Sequence, residues 1–248
     1  MHIDLKQAHI FPDVTPIPHR FHREFDICLN EVQDDTSDWV VSDAIAKHGV
    51  WEPMETTFLS SAFAAANPNT SMFLDLGCHI GWFSLLANTY GILTVAVDLN
   101  RQQLDCLEQV TNGDIVCVNE WIDADWELGN PPSGTVIVKM DIEGSEVDAV
   151  NGMWQYFEKH AVTHCLMEVS PVFNGSYPDL LTRLINLGYW CYVMPEKTVP
   201  PPVFKDAVRF LRRYCLPLHI MDQDARDSWI SRQHQFDVIL SLPESKWA

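Results

Sequence analysis

The sequence has no basic surplus. Its 248 residues carry 16 Lys and Arg against 34 Asp and Glu, a formal net charge of −18 at pH 7. Sequence-independent binding to nucleic acid needs Lys and Arg to displace the counterions of phosphates, so that class of partner is not expected. The charge favours solubility and carries no information about fold. Only Arg209, Arg212 and Arg213 gather as a local basic group. Long apolar runs are also missing: none approaches the roughly 20 residues that cross a bilayer. Residues 1–23 show no apolar region of the signal-peptide kind, so a cytoplasmic protein without a membrane partner is expected. The seven cysteines are odd in number and form no Cys-x-x-Cys pair. Cys117, Cys165 and Cys191 sit inside apolar runs, where cysteine behaves as a small hydrophobe; a disulfide framework or zinc knuckle is not expected. His19 and His22 stand three apart, but the Pro-rich lead-in argues against a helix that would pair them, and no metal site is assigned there.

What is present is the composition of an ordinary globular chain, 47% hydrophobic and 20% charged, long enough to bury a full core. No internal repeat or low-complexity tract is visible. Residues 4–20, with Pro12, Pro16 and Pro18, read as irregular. Phe25, Ile27 and Leu29 alternate with polar residues and predict a strand, residues 34–38 a polar turn, and residues 53–66 a helix with Pro in its first turn. From Met72 the pattern alternates strand and helix, which predicts a parallel sheet covered on both faces. Strands are expected at 72–76, 93–97, 115–118, 135–140, 165–169, 189–194 and 236–240. Val147, Val150, Trp154 and Phe157 predict one amphipathic helix. Residues 195–235 form a long insertion with the rigid Pro200, Pro201 and Pro202 and one or two helices. The domain reading is an N-terminal extension, 1–52, whose strand packs on the core, and an α/β domain, 53–248.

Three segments carry chemistry. In Leu74-Asp75-Leu76-Gly77-Cys78-His79-Ile80-Gly81-Trp82-Phe83-Ser84 an apolar strand runs into glycines and directly into a helix. Glycine permits the tight turn and close approach of a ligand to the backbone. The spacing is Gly-x-x-x-Gly rather than the Gly-x-Gly-x-x-Gly of a dinucleotide site, and Asp75 would repel a pyrophosphate. An acidic side chain there suits a ligand bearing ammonium and sulfonium groups, which describes S-adenosylmethionine (SAM). Asp98 ends the next strand, 23 residues after Asp75, where it can accept the hydroxyls of a ribose; Asn100 can cap the helix that follows. In Lys139-Met140-Asp141-Ile142-Glu143-Gly144-Ser145-Glu146, alternation puts Lys139 and Asp141 on one face and Val138 and Met140 on the other. Glu168 ends the next strand at the same carboxyl edge, where ligands of such sheets bind. Glu143 and Glu146 also suit the first turn of a helix.

These segments, together with Val41-Ser42-Asp43, Gly49-Val50-Trp51-Glu52-Pro53 and Met167-Glu168-Val169-Ser170-Pro171, resemble the FkbM family of SAM-dependent methyltransferases across about residues 25–194. The resemblance implies a Rossmann-like, seven-stranded sheet, mostly parallel with its last strand antiparallel. It implies SAM as cofactor and O-methylation of a hydroxyl on a small acceptor, a sugar or a secondary metabolite. The residues it implies around the cofactor are Glu52, Asp75, Gly77, Cys78, His79, Gly81, Trp82, Phe83, Ser84, Asp98, Leu99, Glu120, Trp121 and Asp141. Lys139, Asp141 and Glu168 are the candidate catalytic group. One of the two carboxylates would act as base, or both would hold a magnesium ion. The family's glycine loop usually reads Gly-Ala-Asn-Ile-Gly; here Cys78 and His79 stand at its centre, and His79 would donate to the SAM carboxylate in place of Asn. Two other classes stay open, a nucleotide-sugar or dinucleotide enzyme and a non-catalytic SAM-binding module. A homo-oligomer is compatible with the sequence.

Overall fold

The computed structural model describes residues 2–4, 26–28, 38–129, 134–195 and 207–243. The Pro-rich lead-in, His19 and His22, most of the polar turn at 34–38 and the triple proline at 200–202 lie outside the described residues. Two short strands, β1 (His2–Asp4) and β2 (Asp26–Cys28), pair antiparallel. Helix α1 (Asp38–His48) follows, then α2 (Pro53–Ala65), with Pro at its first turn where a missing N–H costs nothing.

Strand and helix then alternate: β3 (Ser71–Leu76), α3 (Trp82–Thr89), β4 (Leu93–Val97), α4 (Arg101–Thr111), β5 (Val116–Val118) and β6 (Thr135–Met140). Beyond them come α5 (Glu146–Gly152), α6 (Trp154–Glu158), β7 (Val162–Val169), α7 (Tyr177–Asn186) and β8 (Trp190–Val193). The chain finishes with α8 (Ala207–Tyr214), β9 (Leu216–Pro217), α9 (Gln223–Ile230) and β10 (Phe236–Ser241). The main sheet runs β5-β4-β3-β6-β7-β10-β8-β9. β3 to β7 are mutually parallel, and β10 lies antiparallel between β7 and β8. This is a Rossmann-like α/β fold with eight strands rather than the expected seven. The eighth, β9, is a two-residue edge piece contributed by the 195–235 insertion, too short for any periodicity to announce it.

The alternation in β6 works as the period-2 rule requires. Val136, Val138 and Met140 face a core built with α5, α6, α7 and α9, while Ile137 faces the second core, with α2, α3, α4 and α8. Ile27 of β2 is buried in that second core. The single helix expected around Val147 to Phe157 is two, broken at Met153. The break fits Gly152, where an added Cβ would stand 2.1 Å from the Trp126 carbonyl. Asn100 caps α4, accepting from the backbone amides of Gln102 and Gln103.

Candidate functional site

From β3 the chain winds on to one side, through β4 to β5, and after β6 to the other. The crevice between the carboxyl ends of β3 and β6 is therefore the switch point where ligands of open α/β sheets bind. Gly77 stands there. With φ at +77° it adopts the left-handed conformation, and a Cβ on it would lie 1.8 Å from the Asp141 carbonyl oxygen. Only glycine lets the two strand ends approach so closely. The Gly77 and Cys78 amides donate to the Val97 carbonyl, which ties the turn to β4. Gly81, at φ +82°, then heads α3 and rests on Leu107.

Two cavities adjoin at this point and share Gly77, Asp98, Asp141 and Glu143. The larger, about 500 Å³, is also lined by Val40, Val41, Trp51, Glu52, Cys78, His79, Ile80, Trp82, Phe83, Lys139, Glu168 and Gln235. The smaller, about 270 Å³, adds Val97, Leu99, Glu120, Trp121, Ile122, Ile142 and Ser145. Of the residues singled out in the sequence, Asp75, Gly81 and Ser84 line neither cavity. Asp75 is fully buried behind the wall, where its Oδ2 accepts from Ser84 Oγ at 2.6 Å. Arg209, Arg212 and Arg213 line neither cavity and ride on α8.

Backbone strain concentrates in the same place. Glu52 (φ 40°), His79 (φ 50°) and Glu143 (φ 54°) are left-handed without being glycine, and all three line the larger cavity. Such conformations cost on the order of 1–3 kcal/mol each and persist where the surroundings over-determine them. For His79 the restraint is visible: its amide donates to Asp98 Oδ2 at 2.8 Å, and Asp98 Oδ1 accepts from the Asn100 amide at 2.8 Å. Trp82 is fixed through its indole, which donates to Thr56 Oγ1, while that hydroxyl donates to the Trp51 carbonyl.

Electrostatics set the site apart from its surroundings. Lys139 is buried; its Nζ lies 3.0 Å from Asp141 Oδ2, 3.4 Å from the Gly77 carbonyl and 5.5 Å from the Phe83 ring centre. Burial opposes its charge, but Asp141, Asp75 and Glu52 more than offset that and keep it protonated. Carboxyls crowd around this one cation. Burial raises Asp75 to about 6, against the opposing pull of Lys139 and the Ser84 bond. Burial also raises Glu52 to about 8, with Asp237, Asp141 and Glu168 adding to the effect. Glu168 moves to about 7 through burial and the neighbouring Asp141.

Asp237 escaped the sequence reading. It sits opposite Glu168 in the antiparallel register of β10 and β7, and its side chain is hydrogen-bonded to Glu55 of α2. Burial and the Glu55 charge push it well above the usual carboxylate range. The signal was available, since Asp237 is a lone carboxylate in an otherwise apolar strand, as Asp75 is in β3. Among the described residues no group of three His, Cys, Asp or Glu side chains is arranged to hold a metal ion. Among those residues, too, no helix is long and apolar enough to cross a membrane.

No protein-family model matches the sequence, and no curated protein matches it. Solved structures do match in shape. A TehB-like SAM-dependent methyltransferase from Corynebacterium glutamicum is 11% identical, with 81% of this chain and 94% of that one covered and a TM-score of 0.48. A precorrin-6y C5,15-methyltransferase from Geobacter metallireducens is 10% identical, covering 77% and 93% at a TM-score of 0.40. A geranyl diphosphate C-methyltransferase from Streptomyces coelicolor is 13% identical, covering 88% and 91% at 0.40. At such scores the likeness carries no argument about activity, and the fold rests on the strand order itself.

Proposed function

We propose that this chain is a SAM-dependent methyltransferase that acts on a hydroxyl oxygen of a small acceptor, a sugar or a secondary metabolite, in the manner of the FkbM family its motifs resemble. The observation that carries this reading is the pair of joined cavities at the switch point between β3 and β6, walled by Asp98, Glu52, Asp141 and Glu168. The residues present fit SAM. The smaller cavity offers the Asp98 carboxylate for ribose hydroxyls and Leu99, Trp121 and Ile122 as apolar walls for a base. The larger offers carboxyls to a cationic amino-acid end and the open turn over Gly77 to its backbone. When bound, SAM supplies a methyl group already activated on sulfur.

The protein's own part is then to hold the acceptor oxygen in line and to remove its proton. Glu168, at about 7, is suited to that removal, because a base is most effective when its pKa lies near the working pH. Its carboxylate would take the proton that the acceptor hydroxyl loses when its oxygen gains the methyl carbon and the carbon–sulfur bond breaks. Asp141 is held in place by Lys139 beside it.

The test is an acceptor screen with methyl-labelled SAM, followed by Glu168→Gln and Asp141→Asn on any acceptor found. Glu168→Gln is expected to lower turnover by about 10²–10⁴-fold, the usual contribution of a general base, with SAM binding retained. Full turnover in both variants would sink the assignment of the base.

A further inference from the structure

Beyond the cavity walls, one buried hydroxyl ties the turn after β6 to the start of α7. The turn after β6 runs through two successive left-handed residues, Glu143 at φ 54° and Gly144 at φ 102°. It does not hold itself: its one internal backbone bond, from the Ser145 amide to the Ile142 carbonyl, is long at 3.3 Å. Instead Glu146, 1% exposed, turns back on it. Its Oε1 accepts from the Ile142 amide at 3.1 Å and the Gly144 amide at 3.2 Å. The other oxygen accepts from the hydroxyl of Tyr177, a fully buried residue that opens α7. Phe173, from the loop between β7 and α7, lies against Gly144.

We propose that Glu146 and Tyr177 are positioning residues of the active site, a brace that sets the turn carrying Asp141 and Glu143 against α7 and the loop that leads to it from Glu168. Neither side chain lines a cavity. Both act through the backbone of groups that do, since Ile142, Glu143 and Ser145 form one wall of the smaller cavity. A buried carboxylate that accepts three hydrogen bonds is a stiff element. A buried carboxylate that loses a donor is not, and its turn is free to shift. Reaction geometry is sensitive to such shifts, which is why groups away from the chemistry are able to govern it.

The inference rests on the methyl-transfer reading for its functional half, so the test has two arms. The first is calorimetric titration of S-adenosylhomocysteine into the wild-type chain, Tyr177→Phe, Glu146→Gln and Glu146→Ala. The second is amide hydrogen exchange at Ile142 and Gly144, with Tyr192 of β8 as an internal control. Tyr177→Phe removes only the hydroxyl, and is expected to weaken binding about tenfold, the loss of one charge-assisted hydrogen bond. It should also speed exchange at the two amides while Tyr192 stays protected. Glu146→Gln keeps an oxygen for both turn amides and should stay close to wild type. Glu146→Ala should lose at least as much as Tyr177→Phe, and the double variant Glu146→Ala, Tyr177→Phe no more than Glu146→Ala alone.

Wild-type affinity and unchanged protection in Tyr177→Phe would overturn the brace, as would additive losses in the double variant. A wild-type chain that binds no S-adenosylhomocysteine would instead overturn the methyl-transfer reading. The exchange arm would then still decide whether the brace exists.

Discussion

Replacing Lys139 by Met keeps the volume of the side chain and removes its charge. Lys139 is the one Lys or Arg among the described residues lining either cavity, so its loss leaves the carboxyls without a counter-charge. Two effects add. The bond from Nζ to Asp141 at 3.0 Å disappears, and a hydrogen bond to a charged group is worth about 1.5–3 kcal/mol. Asp75, fully buried, then has no reason to ionise. In the wild type it is raised from 3.8 to about 6. At roughly 1.4 kcal/mol per pH unit, that already costs the folded state about 3 kcal/mol at pH 7. Kept protonated through neutrality in the variant, it would cost about 4.4 kcal/mol at pH 7, an extra loss of about 1.4 kcal/mol.

The sign follows from proton uptake. A carboxyl whose folded pKa lies above its unfolded value binds its proton more tightly in the folded state, so stability falls as pH rises from the unfolded value toward the folded one. Wild type and variant both hold the Asp75 proton at pH 5, and only the variant holds it above about 6. Urea denaturation of Lys139→Met should therefore show a loss of about 2 kcal/mol at pH 5, growing to about 3–4 kcal/mol at pH 7 and more at pH 8, in the range expected for breaking a buried ion pair. A loss that stays flat from pH 5 to 8, or no loss at all, would refute the reasoning.

Gly77→Ala should be severe, because its Cβ would stand 1.8 Å from the Asp141 carbonyl and the left-handed conformation adds about 1–2 kcal/mol; a fall in thermal midpoint together with lost S-adenosylhomocysteine binding is expected. Asp98→Ala should weaken that binding about tenfold or more through lost ribose contacts, and leave α4 in place because Asn100 still caps it. Glu52, at about 8 against 4.5 unfolded, should make the wild type lose stability as pH rises through that interval. Glu52→Gln removes the dependence, so thermal unfolding should show the variant gaining on wild type toward pH 8, and equal slopes would refute it.

The sheet could be read because its strands are apolar runs rich in β-branched residues, and the turn at Gly77 because only glycine tolerates that approach. The Lys139 and Asp141 face could be read because a period of two leaves no choice of side. What stayed hidden depends on tertiary contact. β9 is two residues long and exists only because β8 offers it an edge. The period through Val147 to Phe157 continues across Gly152, so the break at Met153 leaves no trace in spacing. α1 begins among polar residues, and its buried Ser42 and Ile45 are too few to outweigh them. Asp75 looked like a ligand contact because it ends a strand. It is fully buried, accepts from Ser84 Oγ and lines neither cavity. Nothing local in the sequence ties Glu55 to Asp237 far along the chain.

The joined cavities are proposed to hold SAM, and calorimetric titration of the wild-type chain with SAM, S-adenosylhomocysteine and NAD decides the matter. Stoichiometric binding of both sulfur compounds, lost together in Gly77→Ala, and no heat from NAD are expected. Binding of NAD, or of neither sulfur compound, would contradict the proposal.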